Sequence, residues 1–425
     1  SGNGDITSIG IDTWGVDFGL LDKDGKLLEN PVHYRDERTK GIMQKVFEVI
    51  PQDELYDKTG IQFLDINTLY HLYSLKLNRP DVLERAETLL FMPDLFAYLL
   101  TGEKNVEYTI ASTSQLLNAK ERNWDFDMID RLGLKRSLFG KITPPGNVIG
   151  KLSKDIADEL GIAQVDVIAV GSHDTASAVV SAPIEKGEKG CYVSCGTWSL
   201  LGAETKEPLI NEKTFEENFT NEGGVENTIR FLKNISGLWI LQETRRQWIR
   251  ESKQYSFAEL EDMARKAQPF RCFIDVDAPE FTPAGNIPER IKEYCKKTGQ
   301  YVPENDGEVM RCIYESLAMK YRTAVNELED CTNKKFSKLY MVGGGTKDKF
   351  LSELTADSLG IEVSSGPVEA TSYGNIAIQL IADGEIRDIE TARKIIAASE
   401  KLCTFAPENT AEWNKYYKIY LEKVK

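Results

Sequence analysis

Apolar residues interrupted by glycines mark residues 8–21 as strand material. The Asp22-Lys23-Asp24-Gly25 run that follows predicts a hairpin turn, because Asp-Gly pairs suit the positive φ such turns need. A calcium loop would require more acids and a glutamate downstream. Residues 51–100 carry a largely helical pattern, with a helix start at Pro93-Asp94, since proline fits the first turn. Residues 165–170 form a short β-branched run, read as a strand, which leads into the small polar stretch 171–177.

Residues 191–201 predict strand, turn, strand around Gly196-Thr197, and residues 228–232 predict another strand with a helix at 237–251. From Val309 to Leu328 apolar residues recur at steps of three and four, one face of a long amphipathic helix and best read as core. Residues 338–342 read as a strand running into Gly343-Gly344-Gly345, with a helix at 349–359. Residues 361–363 and 371–381 repeat the strand-then-helix order. The alternation implies an α/β architecture in two regions, and the segment 183–189, with its proline, glycine and charge, marks the boundary.

Composition narrows the classes. The chain has 425 residues, 41% of them apolar, so each region can bury its own core. Net charge is -15, and an acidic surface repels nucleic acid and anionic lipid. No run reaches the roughly 18 apolar residues of a membrane helix. The polar start, Ser1 to Ile6, is not expected to be a secretory signal. The seven cysteines are scattered and contain no CxxC pair, which argues against a disulfide framework or a zinc site. A cytoplasmic setting follows, in which the sequons at Asn218 and Asn234 are chance matches.

Three constellations could carry chemistry. The glycines after strand 338–342 let backbone approach a ligand, or else make a tight β-to-α turn. Their spacing is neither GxGxxG nor GxxxxGK[ST]. The hydroxyl-bearing turn at 194–199 could cradle a phosphate or be an ordinary hairpin. His173-Asp174-Thr175 sits where a buried strand ends: Asp174 could take a proton from a hydroxyl, cap the following helix, or both. GxSxG and HExxH motifs are absent, while the 67 acids leave paired-carboxylate hydrolysis open.

In order along the chain stand Ile9-Gly10-Ile11-Asp12-Thr13-Trp14-Gly15-Val16-Asp17-Phe18, Tyr34-Arg35-Asp36, Phe91-Met92-Pro93-Asp94, Glu107-Tyr108-Thr109 and the 171–178 run. They are followed by residues 194–200, Asn221-Glu222-Gly223-Gly224, Leu232-Lys233-Asn234-Ile235, Gly237-Leu238-Trp239, residues 341–345, residues 366–370 and Gly374-Asn375-Ile376. The ordered set resembles the FGGY carbohydrate kinases, and among their branches the rhamnulokinases most closely. The Trp-Gly-Val-Asp-Phe and His-Asp-Thr stretches favour that branch over glycerol, xylulose or gluconate kinases.

The resemblance implies an α/β fold of two actin-like ATPase (ribonuclease H-like) domains, residues 1–184 for sugar and 185–425 for nucleotide, with an interdomain cleft. It implies transfer of the γ-phosphoryl of ATP, with Mg²⁺, to the 1-hydroxyl of L-rhamnulose. Asp174 would be the general base. Trp14, Gly15, His173, Thr175 and Asn234 would bind the sugar; Thr197, Gln242, Gly344 and Gly345 would lie on the nucleotide side. The partners are a small sugar and ATP, not nucleic acid or membrane, with oligomeric state left open. Family members open with a further strand-hairpin and an Asp-x-Gly phosphate loop ahead of the residue matching Ser1; a shortened or incomplete chain is the expected reason, and a protein truly starting at Ser1 would have a first domain lacking its N-terminal strands and crippled catalysis. Rival readings are a kinase for L-fuculose or another deoxyketose, an inactive sugar-binding actin-like protein, and an actin-like ATPase without a sugar pocket.

Overall fold

The computed structural model describes residues 6–424; Ser1 to Gly4, where the departure from family pattern begins, lie outside them. The chain forms two compact units. One comprises Ser1–Ser181, Glu204–Leu232 and Thr371–Ile395, the other Ala182–Ala203, Lys233–Ala370 and Ile396–Lys425.

In the first unit Ser8–Gly10 runs parallel to Asp166–Ile168, which pairs antiparallel with Val148–Lys151. Phe18–Leu21 pairs antiparallel with Thr88–Phe91, with Phe18 opposite Phe91. The Asp22 carboxylate accepts bonds from the backbone N–H groups of Asp24 and Lys26, closing the expected turn. Helices Gln52–Thr59, Thr68–Asn78 and Met92–Thr101 fill the predicted helical region, with Pro93 in the first turn of the last. Thr88–Phe91 is a strand where the sequence read as helix. Its last three residues are buried, and a strand buried on both faces shows no alternation. Leu21, Val46, Leu69, Leu89, Ile110 and Met128 belong to one continuous core beneath these elements.

Two later segments complete this unit, so neither unit is a continuous stretch of the kind expected at 1–184 and 185–425. Thr220–Gly223 pairs with residues 229–232, and Gly223 N–H donates to Ser112 Oγ at 2.7 Å. From the helix Ala370–Ala382, Gly374 packs on the backbone of Ser177. Hydrogen bonds between residues hundreds of positions apart leave no local mark in a sequence.

In the second unit Gly190–Cys195 lies parallel to Lys338–Val342, and that strand lies parallel to Glu362–Ser365. Residues 199–202 flank one side antiparallel and Cys403–Phe405 the other. The long helix is Asp306–Thr332, capped by the Asn305 side chain, with Val309, Ile313, Leu317, Tyr321, Val325 and Leu328 all buried. The cysteines are not all dispersed as expected: Cys272, Cys295 and Cys312 are buried with their sulfurs within 4.8 Å of one another. Sequence spacing speaks only of neighbours along the chain. Among the described residues no helix is long and apolar enough to cross a membrane.

Gly374 tests how tightly the returning helix is seated. A Cβ there would lie 1.8 Å from the Ser177 carbonyl oxygen, a backbone atom in the helix Asp174–Ser181 that cannot swing away. Gly374→Ala should destabilise the protein by about 1–3 kcal/mol or more in urea unfolding. An unchanged midpoint would refute this packing.

Candidate functional site

Asp174 is the first residue of the helix Asp174–Ser181. Thr13 N–H donates to Ser172 O at 2.9 Å and Asp174 N–H donates to Thr13 O at 2.8 Å. This short parallel bridge between Thr13 and His173 ties the 12–17 loop to the start of the helix. The Asp174 side chain is 43% exposed, and its Oδ1 accepts from the Thr175 hydroxyl at 3.2 Å. A carboxylate so placed is reachable by a hydroxyl donor.

The 12–17 loop is strained. Asp17 N–H donates to Gly15 O across Val16, whose φ is +69°. A γ-turn of this hand, with a β-branched residue at its centre, is costly. Thr113 Oγ1 accepts from Val16 N–H at 3.2 Å and Thr68 donates to Val16 O at 2.7 Å, holding the turn. It brings Gly15 against His173: a Cβ on Gly15 would lie 3.4 Å from His173 Nε2. Trp14 is 42% exposed, and its indole donates to Asp17 Oδ2 at 2.7 Å. Trp14, Gly15, His173, Asp174 and Thr175 thus gather in the first unit.

Residues without an assigned role complete the set. The Asp12 carboxylate accepts from Asn375 Nδ2 at 2.5 Å, and burial, reinforced by the charge of Asp174, raises its pKa to about 6. Glu107 accepts from the Thr109 N–H and hydroxyl, the Ile110 N–H and the Ser172 N–H. Burial still raises it to about 7. Thr109 Oγ1 in turn accepts from His173 N–H at 3.1 Å. Arg230 lies 3.1 Å from His173 Nδ1, and Glu222 3.2 Å from the same atom. Asp12, Glu107, Glu222 and Asn375 all fall inside the quoted family stretches, which was the available signal. Arg230 falls outside them.

Thr197, Gln242, Gly344 and Gly345, assigned to the nucleotide by resemblance, lie in the second unit. Gly190–Cys195 and Lys338–Val342 are parallel neighbours, so Gly196-Thr197 and Gly343–Gly345 leave adjacent strand ends. In open parallel sheets this is the edge that meets ligands. Gly345 touches the turn before Thr197; a Cβ there would sit 2.8 Å from Cys195 O and 2.4 Å from its sulfur. Thr197 and Gly344 are exposed. Thr197 O accepts from Trp239 N–H at 3.0 Å, docking the helix Trp239–Arg250 that carries Gln242. Asn234, grouped with the sugar by resemblance, falls in the second unit, near the end of Ile229–Ile235.

Residues 2–181 match the N-terminal domain model of the FGGY family of carbohydrate kinases, and residues 191–382 match the C-terminal one. The chain is 43% identical over 412 residues to a rhamnulokinase of Bacteroides thetaiotaomicron, covering 97% of this chain and 84% of that one. It is 44% identical to a rhamnulokinase of Oceanobacillus iheyensis, covering 94% and 83%. Among solved structures it superposes on a ligand-bound xylulose kinase from Lactobacillus acidophilus with TM-score 0.80 at 18% identity, covering 99% and 84%. A glycerol kinase from Plasmodium falciparum with ADP gives TM-score 0.75 at 18% identity, covering 98% and 84%. At such identity these structures speak to the fold.

Elsewhere in the first unit, His71 Nδ1 accepts from Arg38 Nε at 2.8 Å. Burial, with the charge of Arg38 adding, lowers His71 to about 4 from 6.5. The unfolded chain therefore takes up a proton that the folded chain refuses, and stability falls as pH drops from about 6.5 toward 4. His71→Gln keeps an acceptor but cannot titrate. Its melting temperature should rise relative to wild type across that window, and a constant difference would refute the assignment.

Proposed function

The chain belongs to the FGGY family of carbohydrate kinases, and from that premise we propose that it transfers the γ-phosphoryl group of ATP to the 1-hydroxyl of L-rhamnulose. The observation that carries the reaction is the half-open Asp174 carboxylate, whose main chain is held by backbone bonds while its side chain stays 43% exposed. The choice of sugar rests on kinship with rhamnulokinases across nearly the whole chain.

Phosphoryl transfer asks for an oriented hydroxyl, an acceptor for its proton and donors for the spreading phosphate charge. In this reading Asp174 takes the proton of the 1-hydroxyl as the bond to phosphorus forms, and ADP leaves. His173, Thr175 and the loop carrying Trp14 and Gly15 hold the sugar on the first unit; Asn234 lies on the second. The Gly196-Thr197 turn and the Gly343–Gly345 loop offer backbone N–H groups to the phosphates on the second unit, where Gln242 also lies. An acidic protein can hold an anion this way, because the field is local.

Mg²⁺ accompanies ATP in such kinases and neutralises phosphate charge. Asp12 fits it: a largely buried carboxylate, raised by burial and by the neighbouring charge of Asp174, would be stabilised by a cation. Mg²⁺ needs only one or two carboxylates besides phosphate and water. The proposed setting is the cytoplasm, where ATP is supplied and where seven free cysteines stay reduced.

ADP formation with L-rhamnulose, set against L-fuculose and other ketoses, tests the substrate. L-Rhamnulose should give the highest kcat/KM, and another ketose in that place would displace the proposal. Asp174→Asn should fold normally and lower kcat by roughly 100-fold or more. Undiminished turnover would remove Asp174 from the base role.

A further inference from the structure

The imidazole of His173 is held from behind by a buried ion pair. Side-chain exposure is 9% for His173, 5% for Glu222 and 1% for Arg230. Arg230 donates from Nε to Gly223 O at 2.8 Å, lies 3.1 Å from Glu222 through one terminal nitrogen and 3.1 Å from His173 Nδ1 through the other. Its guanidinium is thus held by two hydrogen bonds, with the Glu222 carboxylate beside it as counter-charge.

We propose that Arg230 is a positioning residue that sets the tautomer of His173, so that Nε2 carries the proton and donates it to a substrate oxygen beside Gly15. The inference rests on the sugar-kinase reading for the identity of that oxygen, and on geometry alone for the tautomer. A guanidinium has donors only and stays charged. The ring nitrogen facing it must then present a lone pair, since an N–H pointed at an N–H makes no bond. Glu222 also lies against Nδ1, but its carboxylate has Arg230 as counter-charge. A neutral imidazole with an acceptor at Nδ1 carries its hydrogen at Nε2.

Nε2 faces Gly15. A Cβ at Gly15 would come within 3.4 Å of it, so a side chain there would occupy the donor's path. The Asp174 carboxylate is 3.7 Å from Nε2, too far for a hydrogen bond. The donor is thus not spent on the catalytic carboxylate. The two groups instead form a matched pair: an N–H that gives to one substrate oxygen, and a carboxylate that accepts from a hydroxyl next to it. A sugar carrying adjacent oxygens, such as those at C1 and C2 of a ketose, satisfies both.

The test reads the tautomer directly in protein without sugar or nucleotide, by ¹⁵N shifts of the His173 ring nitrogens at pH about 8, where an ordinary imidazole is neutral. Wild type should show the hydrogen at Nε2; a hydrogen at Nδ1 overturns the proposal whatever the enzyme phosphorylates. Glu222→Gln, which keeps the guanidinium, should keep the Nε2 hydrogen. Arg230→Met should move the hydrogen to Nδ1, toward Glu222. Because breaking a buried pair can unfold a protein, Arg230→Met combined with Glu222→Leu serves as the second variant and should show both tautomers. Retention of Nε2–H alone in either folded variant overturns the role of Arg230. With the sugar, losing the donor should raise KM roughly tenfold, the scale of one hydrogen bond, and leave KM for ATP unchanged. A fall in kcat with sugar KM unchanged overturns the proposal. If no ketose is phosphorylated at all, the functional reading fails and the spectra still decide the tautomer.

Discussion

Two backbone hydrogen bonds fix the start of the helix from which Asp174 presents its carboxylate. Thr13 N–H meets Ser172 O, and Thr13 O meets Asp174 N–H. The bridge consumes the main-chain donor of Asp174 and leaves its side chain half in the open. It also dictates the path of the loop that follows. That loop reverses at Val16 through a left-handed φ that a β-branched residue enters only at a cost on the order of 1–3 kcal/mol. Bonds from Thr68 and to Thr113 hold the reversal in place. The strain places a glycine where any side chain would crowd the histidine.

Behind this surface the first unit buries several ionisable groups. Asp94 accepts from the backbone of Glu107, and burial holds its carboxyl well above the usual carboxylate range. Glu107 collects donors from both the 107–110 segment and Ser172. Arg230 and Glu222 sit almost wholly out of water. Replacing a buried ion pair by apolar residues of similar volume is often neutral or stabilising. What charged groups supply instead is direction: each bond has an angle as well as a length, and together they hold residues 172–174 against rotation. Rigid placement of reacting groups is worth more to a rate than the stability given up.

The second unit solves a different problem by a simpler means. Its parallel strands end side by side, and the chain leaves two of them through glycine-containing turns. At Gly345 the approach to Cys195 excludes a side chain, so two stretches of main chain come close enough to present N–H groups together. No single residue there needs unusual chemistry, which is consistent with a site that meets a phosphate through backbone.

Local chemistry settled much of this protein in advance. The long helix over 306–332, the strand Lys338–Val342, the turn at Asp22 and the place of Asp174 at the start of a helix were legible because periodicity and turn residues are properties of neighbouring residues. What stayed hidden were relations between distant ones. The strand Thr88–Phe91 needed its partner at Phe18–Leu21, Asp12 needed Asn375, and His173 needed Arg230, which lies in none of the recognisable stretches. The return of residues 204–232 and 371–395 to the first unit, and the gathering of Cys272, Cys295 and Cys312, were likewise decided in three dimensions. A sequence records which groups are available and how each short segment prefers to bend. Which buried charge faces which donor depends on how whole elements pack, because the cost of leaving such a group unpaired is felt only once water has been excluded.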